Sequence, residues 1–344
     1  MSHWHGPVMA TLSLCLSLAA AGVSLAQGAA DFYRGKTVTV VVGIEQGTGF
    51  DIYGRALARH IGRHIPGTPT VIVNNMPGAS GLIAYNWLAN VAPKDGTTFV
   101  IASFNVPFEP MLGNPLARFD GKQLGWVGNM DASGASVCLA RPDSGIASWA
   151  DVYSREITMG AAGRGGSISQ VPRALIDIGG AKIKLIEGYV GTASIKLAIQ
   201  RGELQGICGI SLSTVRTQWR DVMESGLLKM ILQAGPKPDT SLSGVPHIFE
   251  FAKGTADRQV YALIFGPQGL GRSFAAPPGI PADRLAALRA AFSATMKDDK
   301  FREDARQAKL DLAPQTGEEV QAFVASLYAS PPEVVQRARK ALGR

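Results

Sequence analysis

The sequence predicts an α/β protein with two domains, and three observations support this fold class. The chain has 344 residues, which is too long for one ordinary core and favours two domains of similar size. Apolar runs rich in β-branched residues alternate with amphipathic segments, a pattern typical of parallel sheets covered by helices. Glycine-rich loops join the runs to the segments that follow them. Hydrophobic residues at 46% and charged residues at 18% indicate a well-packed globular chain.

The first hundred residues contain strand–loop–helix units. Strands are predicted at Thr37–Val42, Thr70–Val73 and Thr97–Ala102. The first strand leads into a helix whose inner face carries Ile52, Ala56, Leu57, Ile61 and Ile65. The second leads into a helix whose inner face carries Ile83, Trp87, Leu88 and Val91.

The second half repeats this pattern before it changes. Strands are predicted at Ile157–Met159, Lys182–Ile186 and Leu204–Ile210. Pro172 is compatible with the helix after the first of these strands if Ser169 is the N-cap, because proline is tolerated in a first turn. Longer helices then follow, predicted at Ala282–Met296, from Asp298, at Gly317–Ala329 and at Pro332–Leu342.

The first thirty residues contain no Lys, Arg, Asp or Glu, and Met9 to Leu25 is apolar or small throughout. Ser24 and Ala26 supply the small residues that signal peptidase requires. We therefore expect residues 1–26 to be a signal peptide, cleaved near Ala26, and the protein to be periplasmic. A membrane anchor is the competing interpretation, but about 17 residues is at the short limit for spanning a bilayer.

Removal of that segment leaves two cysteines, Cys138 and Cys208, in an oxidising compartment. A disulfide between them and two buried free thiols are both compatible with the sequence.

The formal charge of +7 favours anionic ligands on average, but the basic residues are dispersed, so nucleic acid is not an expected partner. His60 and His64 lie four residues apart, a spacing that also suits a metal. Their arginine neighbours favour a solvated helix face instead, and we expect no metal and no cofactor.

The glycine-rich loops are the candidate functional elements. Loops that leave the C-terminal ends of parallel strands gather at one edge of the sheet, where helix N-termini offer unpaired N–H groups and partial positive charge. Such termini bind carboxylate or phosphate without Lys or Arg, and glycine permits close approach of the backbone. The sequence therefore predicts an anion-binding cleft built mainly of backbone.

Catalytic signatures are lacking in the sequence. The stretch from Gly47 and that from Gly163 both fail the third glycine of the dinucleotide motif G-x-G-x-x-G. No nucleotide-binding P-loop and no G-x-S-x-G nucleophile elbow occurs. We therefore expect a binding protein and not an enzyme.

Three side chains near the loops have two interpretations each. Asp51 is either a first-turn acid that stabilises its helix by about 1 kcal/mol or a pocket residue for an ammonium or hydroxyl group. Ser80 is either a helix-start residue or a ligand donor. Arg164, flanked by glycines, either meets an anion or forms an exposed loop tip.

Four stretches resemble the tripartite tricarboxylate transporter substrate-binding proteins, the Bug receptor family. They begin at Phe32 (FYRGKTVTVVVGIEQGTGFDIYGRALARHI), Val71 (VIVNNMPGASGLIAYNWLANVAPKDGTT), Gly188 (GYVGTASIKLAIQRGELQGICG) and Phe274 (FAAPPGIPADRLAALRAAFSATMKD). The segments Asn75 to Gly81 and Ala276 to Pro281 are the most specific. The resemblance implies a two-lobed type II periplasmic binding protein in which each lobe is a helix-covered, mainly parallel sheet.

The resemblance also implies boundaries and a pocket. We expect one lobe at residues 31–134 plus 262–344 and the other at 135–261. Compared with the family, Gln46–Gly49 replaces the usual Pro-Gly-Gly, and Ser167–Gln170 replaces the usual His and acid. The predicted ligand-binding residues are Gln46, Gly47, Thr48, Gly49, Phe50, Asp51, Gly78, Ala79, Ser80, Gly81, Ser103, Phe104, Arg164, Gly165, Gly166, Ser167, Tyr189, Gly191 and Thr192.

The resemblance implies a monomeric receptor that binds a small carboxylate solute and passes it to a membrane permease with a large and a small subunit. A protein that signals its ligand-bound state to a histidine kinase is an alternative function. An exported enzyme on the same fold is a further alternative, which the shortage of pocket histidines and paired carboxylates disfavours.

Overall fold

Two sheets, each covered by helices, form the two lobes of the protein. A computed structural model describes residues 28–162 and 166–344. The predicted signal peptide and Arg164 with Gly165 lie outside the described residues. The two-lobed α/β prediction is confirmed, but both sheets are mixed, so the expectation that each would be mainly parallel is wrong.

The first lobe contains a mixed six-stranded sheet with the order β11-β4-β10-β3-β1-β2. Strands β1, β2 and β3 pair in parallel, whereas β4, β10 and β11 run antiparallel to their neighbours. Its strands are β1 (Thr37–Val42), β2 (Thr70–Asn75), β3 (Thr98–Ile101), β4 (Gly125–Asn129), β10 (Ser273–Ala276) and β11 (Gln315–Thr316).

The second lobe contains a mixed five-stranded sheet with the order β7-β6-β8-β5-β9. Strand β6 pairs in parallel with β7 and β8, and β5 runs antiparallel to β8 and β9. Its strands are β5 (Ser136–Ala140), β6 (Ile157–Gly160), β7 (Ile183–Ile186), β8 (Gly206–Ser211) and β9 (Lys229–Ala234).

Helices cover both sheets. Those before β9 are α1 (Gly49–Ile61), α2 (Leu82–Asn90), α3 (Ser167–Ala174), α4 (Thr192–Gln200), α5 (Leu212–Gln218) and α6 (Arg220–Glu224). Those after it are α7 (Thr255–Phe265), α8 (Ala282–Lys297), α9 (Asp299–Gln307), α10 (Gly317–Tyr328) and α11 (Pro332–Ala341). No helix within the described part of the chain is both long enough and apolar enough to cross a membrane.

The chain passes between the lobes twice. Strands change sheet between Asn129 and Ser136 and again between Ala234 and Ser273. Helix α7 spans the predicted boundary at residues 261 and 262 and packs against both α11 and α3. A continuous apolar cluster runs through this region from one lobe into the other. The exact lobe boundaries stay a prediction.

Burial contradicts two of the predicted helix faces. In α1, Ala56, Leu57 and Ile61 are buried, but Ile52 is 40% exposed and Tyr53 packs inward instead. In α2 the difference is larger, because Leu82, Ala84, Tyr85 and Leu88 are buried whereas Ile83 and Val91 are 51% and 70% exposed. Two faces of α2 are apolar, so hydrophobic spacing did not decide which of them packs on the sheet.

The predicted start of the helix that contains Pro172 is also wrong. Helix α3 begins at Ser167 with Gly166 as its N-cap, so Pro172 lies inside the helix and not in its first turn. Residues Leu175–Gly179 then continue as a π-helical turn. Proline lacks the N–H for an intrahelical bond, which fits the altered bonding of this segment.

Candidate functional site

A cleft of about 650 Å³ separates the two lobes. Loops at the ends of β1, β2 and β3 form one wall, and loops after β6, β7 and β8 form the other. From the first lobe its lining comprises Gly43, Ile44, Glu45, Gly47, Thr48, Gly49, Phe50, Gly78, Ala79, Ser80, Ser103, Phe104 and Arg272.

Close packing of Gly43 and Gly81 against Ala102 holds the loops of the first-lobe wall together. A Cβ atom on Gly43 would lie 2.7 Å from the Cβ of Ala102, and one on Gly81 would lie 2.4 Å from the same atom. Gly81 has a φ of +99°, which favours glycine for a second reason. The loops after β1, β2 and β3 therefore meet at a junction that no larger residue fits.

The loop Gly78–Gly81 has a left-handed backbone throughout. Its φ angles are +136° at Gly78, +48° at Ala79, +58° at Ser80 and +99° at Gly81. Non-glycine residues in this region cost on the order of 1–3 kcal/mol each and persist only where the surrounding structure holds them. Ala79 and Ser80 both line the cleft, so this strained backbone lies at the site.

Asp51 holds the neighbouring loop from behind. The Gly47 N–H and the Arg55 Nε–H both donate to its Oδ2 at 2.9 Å, and Asn75 Nδ2 donates to its Oδ1 at 2.9 Å. Burial raises the pKa of Asp51, but the hydrogen bonds from Arg55, Gly47 and Asn75 outweigh it, and the net shift is downward. Asp51 lies in the first turn of α1 and does not line the cleft.

The second-lobe wall uses the starts of two helices and the end of β8. Gly166 is the N-cap of α3 and Gly191 is the N-cap of α4. The remaining lining from this lobe is apolar or uncharged: Ala162, Ser167, Ile168, Val190, Thr192, Ala193, Gly209, Ile210, Ser211, Thr214 and Gln218.

Three helices direct their N-termini into the cleft. The N-caps of α1, α3 and α4 are Thr48, Gly166 and Gly191, and none of them makes a side-chain hydrogen bond to its helix. Their first-turn N–H groups therefore lack the acceptor that a capping side chain supplies. These groups are suited to bind an anion.

Arg272 adds a cation to this site that sequence reasoning missed. It is 6% exposed and lines the cleft, and its guanidinium carbon lies 4.5 Å from the ring centre of Phe50 and 4.8 Å from that of Tyr53. Both distances suit cation–π contact. Arg272 precedes β10, an antiparallel strand, so the rule for loops after parallel strands does not lead to it.

The structure brings most of the predicted residues together. Those that line the cleft are Gly47, Thr48, Gly49, Phe50, Gly78, Ala79, Ser80, Ser103, Phe104, Gly166, Ser167, Gly191 and Thr192. Asp51 and Gly81 lie behind the wall, Gln46 is exposed, and Tyr189 packs against the core of the second lobe. Ser211, Thr214 and Gln218 were also missed, although β8 and its helix were predicted and the same loop argument applies there.

The expectation that His60 and His64 lie on a solvated helix face is wrong, because their side chains are only 11% and 23% exposed and contact another helix. His60 Nε2 lies 2.8 Å from Asp304 Oδ2 and His64 Nε2 lies 2.8 Å from Asp298 Oδ2, so both histidines bind carboxylates at α9. Among the described residues, no three His, Cys, Asp or Glu side chains are grouped so as to hold a metal ion.

Cys138 and Cys208 lie opposite each other on β5 and β8 and are bonded through their sulfur atoms.

Three solved structures have the fold of this chain, and two of them were solved with a small acid. A TctC solute-binding protein from Polaromonas is 21% identical, covers 90% of this chain and 99% of its own, and superposes with a TM-score of 0.65. MatC from Rhodopseudomonas palustris, solved with malate, is 19% identical over 89% and 99% of the two chains with a TM-score of 0.62. An R. palustris protein solved with adipate is 18% identical over 88% and 97%, also with a TM-score of 0.62.

The family assignment comes from the sequence match. Residues 55–339 match the family model described as the tripartite tricarboxylate transporter family receptor. The match covers most of the chain, including α1 from Arg55 onward, the Gly78–Gly81 loop, both cysteines and Arg272. The chain therefore belongs to the tripartite tricarboxylate transporter receptor family and is a solute-binding receptor with the two-lobed type II binding fold.

Proposed function

We propose that this protein captures a small carboxylated solute in the interlobe cleft, mainly through backbone N–H groups of its glycine-rich loops. One observation carries the proposal: the N-termini of α1, α3 and α4 open into one cleft without capping side chains. A carboxylate between them would accept the hydrogen bonds that the helices lack and would lie at the positive ends of their dipoles.

The cleft is suited to a small solute with an apolar part. Its volume of about 650 Å³ lies within the usual range for small-molecule sites, roughly 300–1,000 Å³. Phe50, Phe104, Ile168 and Ile210 line it beside the loop backbones. The acids malate and adipate bound by two proteins of this fold are of suitable size and charge.

We propose that the protein delivers its solute to a membrane permease with a large and a small subunit, and membership of the transporter receptor family supports this. We propose that the protein acts in the periplasm after cleavage near Ala26 and that the lobes close around the solute by a hinge motion. The bond between Cys138 and Cys208 supports an oxidising compartment, where disulfides persist. The described residues that line the cleft include no histidine and one carboxylate, that of Glu45.

A thermal-shift screen of the purified protein tests the proposal. The panel contains mono-, di- and tricarboxylates, aromatic acids and amino acids, each beside its neutral amide, and hits are measured by calorimetry. We expect at least one acid to raise the melting temperature by more than its amide does. If no acid does so, or if a bound acid is consumed, capture of a carboxylate for transport is the wrong function.

A further inference from the structure

Arg272 has unusual surroundings for a buried cation. Its Nη1 donates to the Gly271 carbonyl at 2.8 Å, and its Nη2 lies 3.4 Å from Ser213 Oγ across the lobe junction. Its Nε is buried and has no hydrogen-bond partner among the residues that the structure describes. Burial of a guanidinium is unfavourable unless its charge and donors are matched.

No carboxylate within the described residues forms an ion pair with Arg272. Asp131 and Asp311 are the acids whose charge acts on it from a greater distance. The Oδ1 atom of Asp131 already accepts hydrogen bonds from the N–H and hydroxyl of Ser133. Asp311 is partly exposed and lies 4.0 Å from Arg216. Among the described residues, the charge of Arg272 therefore has aromatic neighbours but no carboxylate in direct contact.

Arg272 faces the deep end of the cleft. It also lines a cavity of about 30 Å³ between the lobes, together with Phe104, Ser167, Gly209 and Ser211. Those four residues line the cleft as well, whereas Gly78–Ser80 and Val190–Thr192 do not reach this cavity. A Cβ on Gly49 would lie 3.2 Å from Nη2 of Arg272, so the guanidinium lies at the N-terminus of α1.

We propose that Arg272 is the charge anchor and the specificity-determining residue of the cleft, where it binds an acidic group of the solute at the deep end. The proposal rests on the function proposed above and makes it more specific. The solute class is an organic anion whose acid group enters first, against Arg272 and the start of α1. The rest of the solute lies along Phe50 and Phe104 toward the outer loops.

The aromatic contacts explain how one cation can give specificity. Phe50 and Tyr53 hold the guanidinium in place before the solute arrives, and rigid donors lose little freedom on binding. Arginine also presents its donors as a planar fork that matches a carboxylate. Among the described residues that line the cleft, the only other charged side chain is Glu45, which is exposed. Arg272 is thus the side chain that distinguishes an acid from its neutral analogue.

The test compares three variants with the native protein: Arg272→Met, Arg272→Lys and the control Arg216→Met. Arg216 carries the same charge and lines the small cavity, but it does not line the cleft. Calorimetry measures the affinity of each variant for malate, adipate and any further acid found in the screen, and for the matching amides. Thermal unfolding without solute is measured in parallel.

For Arg272→Met we expect acid affinity to fall about 30-fold or more, because one partner of a buried charged pair is lost. The affinity for amides should change less than twofold, and Arg272→Lys should be intermediate. The solute-free melting temperature of Arg272→Met should stay equal or rise, since a buried cation without a partner is removed. Arg216→Met should bind acids as the native protein does.

Two results would overturn the assignment of Arg272 alone. One is an acid that stabilises the native protein and binds Arg272→Met within twofold. The other is a lower solute-free melting temperature for Arg272→Met together with an equal loss of affinity for acids and for amides. That result would mean that Arg272 stabilises the fold by balancing the charges of Asp131 and Asp311. If no acid binds the native protein at all, the proposed function itself fails, and this inference fails with it.

Discussion

The two walls of the cleft are built differently. In the first-lobe wall, Gly43 and Gly81 pack so closely on Ala102 that no side chain fits, and Asp51 fixes the loop at Gly47. In the second-lobe wall, Gly209 also packs closely, against Ser167, but a Cβ on Gly191 would meet no described atom within 4 Å, and Val190 is 99% exposed. The loop at Gly81 is thus held by its own lobe before any solute arrives, whereas the loop at Val190 and Gly191 has room to adjust.

Because of this difference, we expect the two walls to act at different stages of solute binding. A preformed wall offers its N–H groups without ordering cost, so it is suited to receive the solute first. The open loop at Val190 and Gly191 is suited to close over the bound solute, because it has few neighbours to displace. Substitutions in the two walls should therefore have different consequences for folding and for binding.

The largest expected effect comes from a bulky side chain that projects into the cleft from the Gly78–Gly81 loop. Ser80→Trp places a large ring in the cleft, and we expect it to abolish solute-induced stabilisation, which is about 2.7 kcal/mol at a solute concentration of 100 Kd. Thermal shift with the acids that stabilise the native protein measures this effect. Val91→Trp, at the exposed C-terminal end of α2, is the control and should keep the full shift. An unchanged shift in Ser80→Trp would place the solute elsewhere.

Removal of the disulfide tests how the sheet of the second lobe is stabilised. The cysteines are separated by 70 residues, and replacing both with alanine should lower the free energy of unfolding by about 4 kcal/mol. Urea denaturation measures the change, and a reducing agent should destabilise the native protein by a similar amount while leaving the variant unaffected. Equal stability of the variant and the oxidised native protein would contradict a stabilising bond.

A matched pair of glycine substitutions compares the walls directly. Gly81→Ala should lower the free energy of unfolding by about 2–3 kcal/mol, because the added Cβ collides with Ala102 and the residue has a left-handed backbone. Gly191→Ala should change it by less than about 0.5 kcal/mol, since Gly191 has an extended φ of 178° and open space around it. Urea denaturation of both proteins gives the comparison. Similar losses in the two variants would show that the walls do not differ in rigidity.

The smallest expected effect concerns the carboxylate behind the rigid wall. Asp51→Asn should cost about 1–2 kcal/mol by weakening the bonds to Gly47 and Arg55. The pKa of Asp51 is lowered in the folded protein, so its contribution is full above the ordinary value of 3.8 and is lost as pH falls through the folded value. Urea denaturation at several pH values should thus show a constant difference near neutrality that shrinks in acid. A constant difference down to pH 2 would mean that charge is not the cause.

Sequence patterns identified the parallel parts of both sheets closely and missed the antiparallel parts. Strand β1 was predicted with its observed ends, and the four C-terminal helices were predicted within a few residues. Strands β4, β5, β9 and β10 were not predicted as elements, because they are not followed by the glycine loop and helix that marked the others. Arg272 was missed for this reason, since it precedes β10.

The local spacing of apolar residues and glycines was sufficient to predict the fold class, the loops at the strand ends and a cleft lined mainly by backbone. This is because strand–loop–helix units arise from contacts between residues close in sequence. Only the tertiary structure decided which face of α2 is buried and that Asp51 lies behind the wall. It also decided that the guanidinium of Arg272 reaches the cleft from a distant part of the sequence. Those outcomes depend on contacts between residues far apart in sequence, such as Arg272 with Phe50. No local pattern records such contacts.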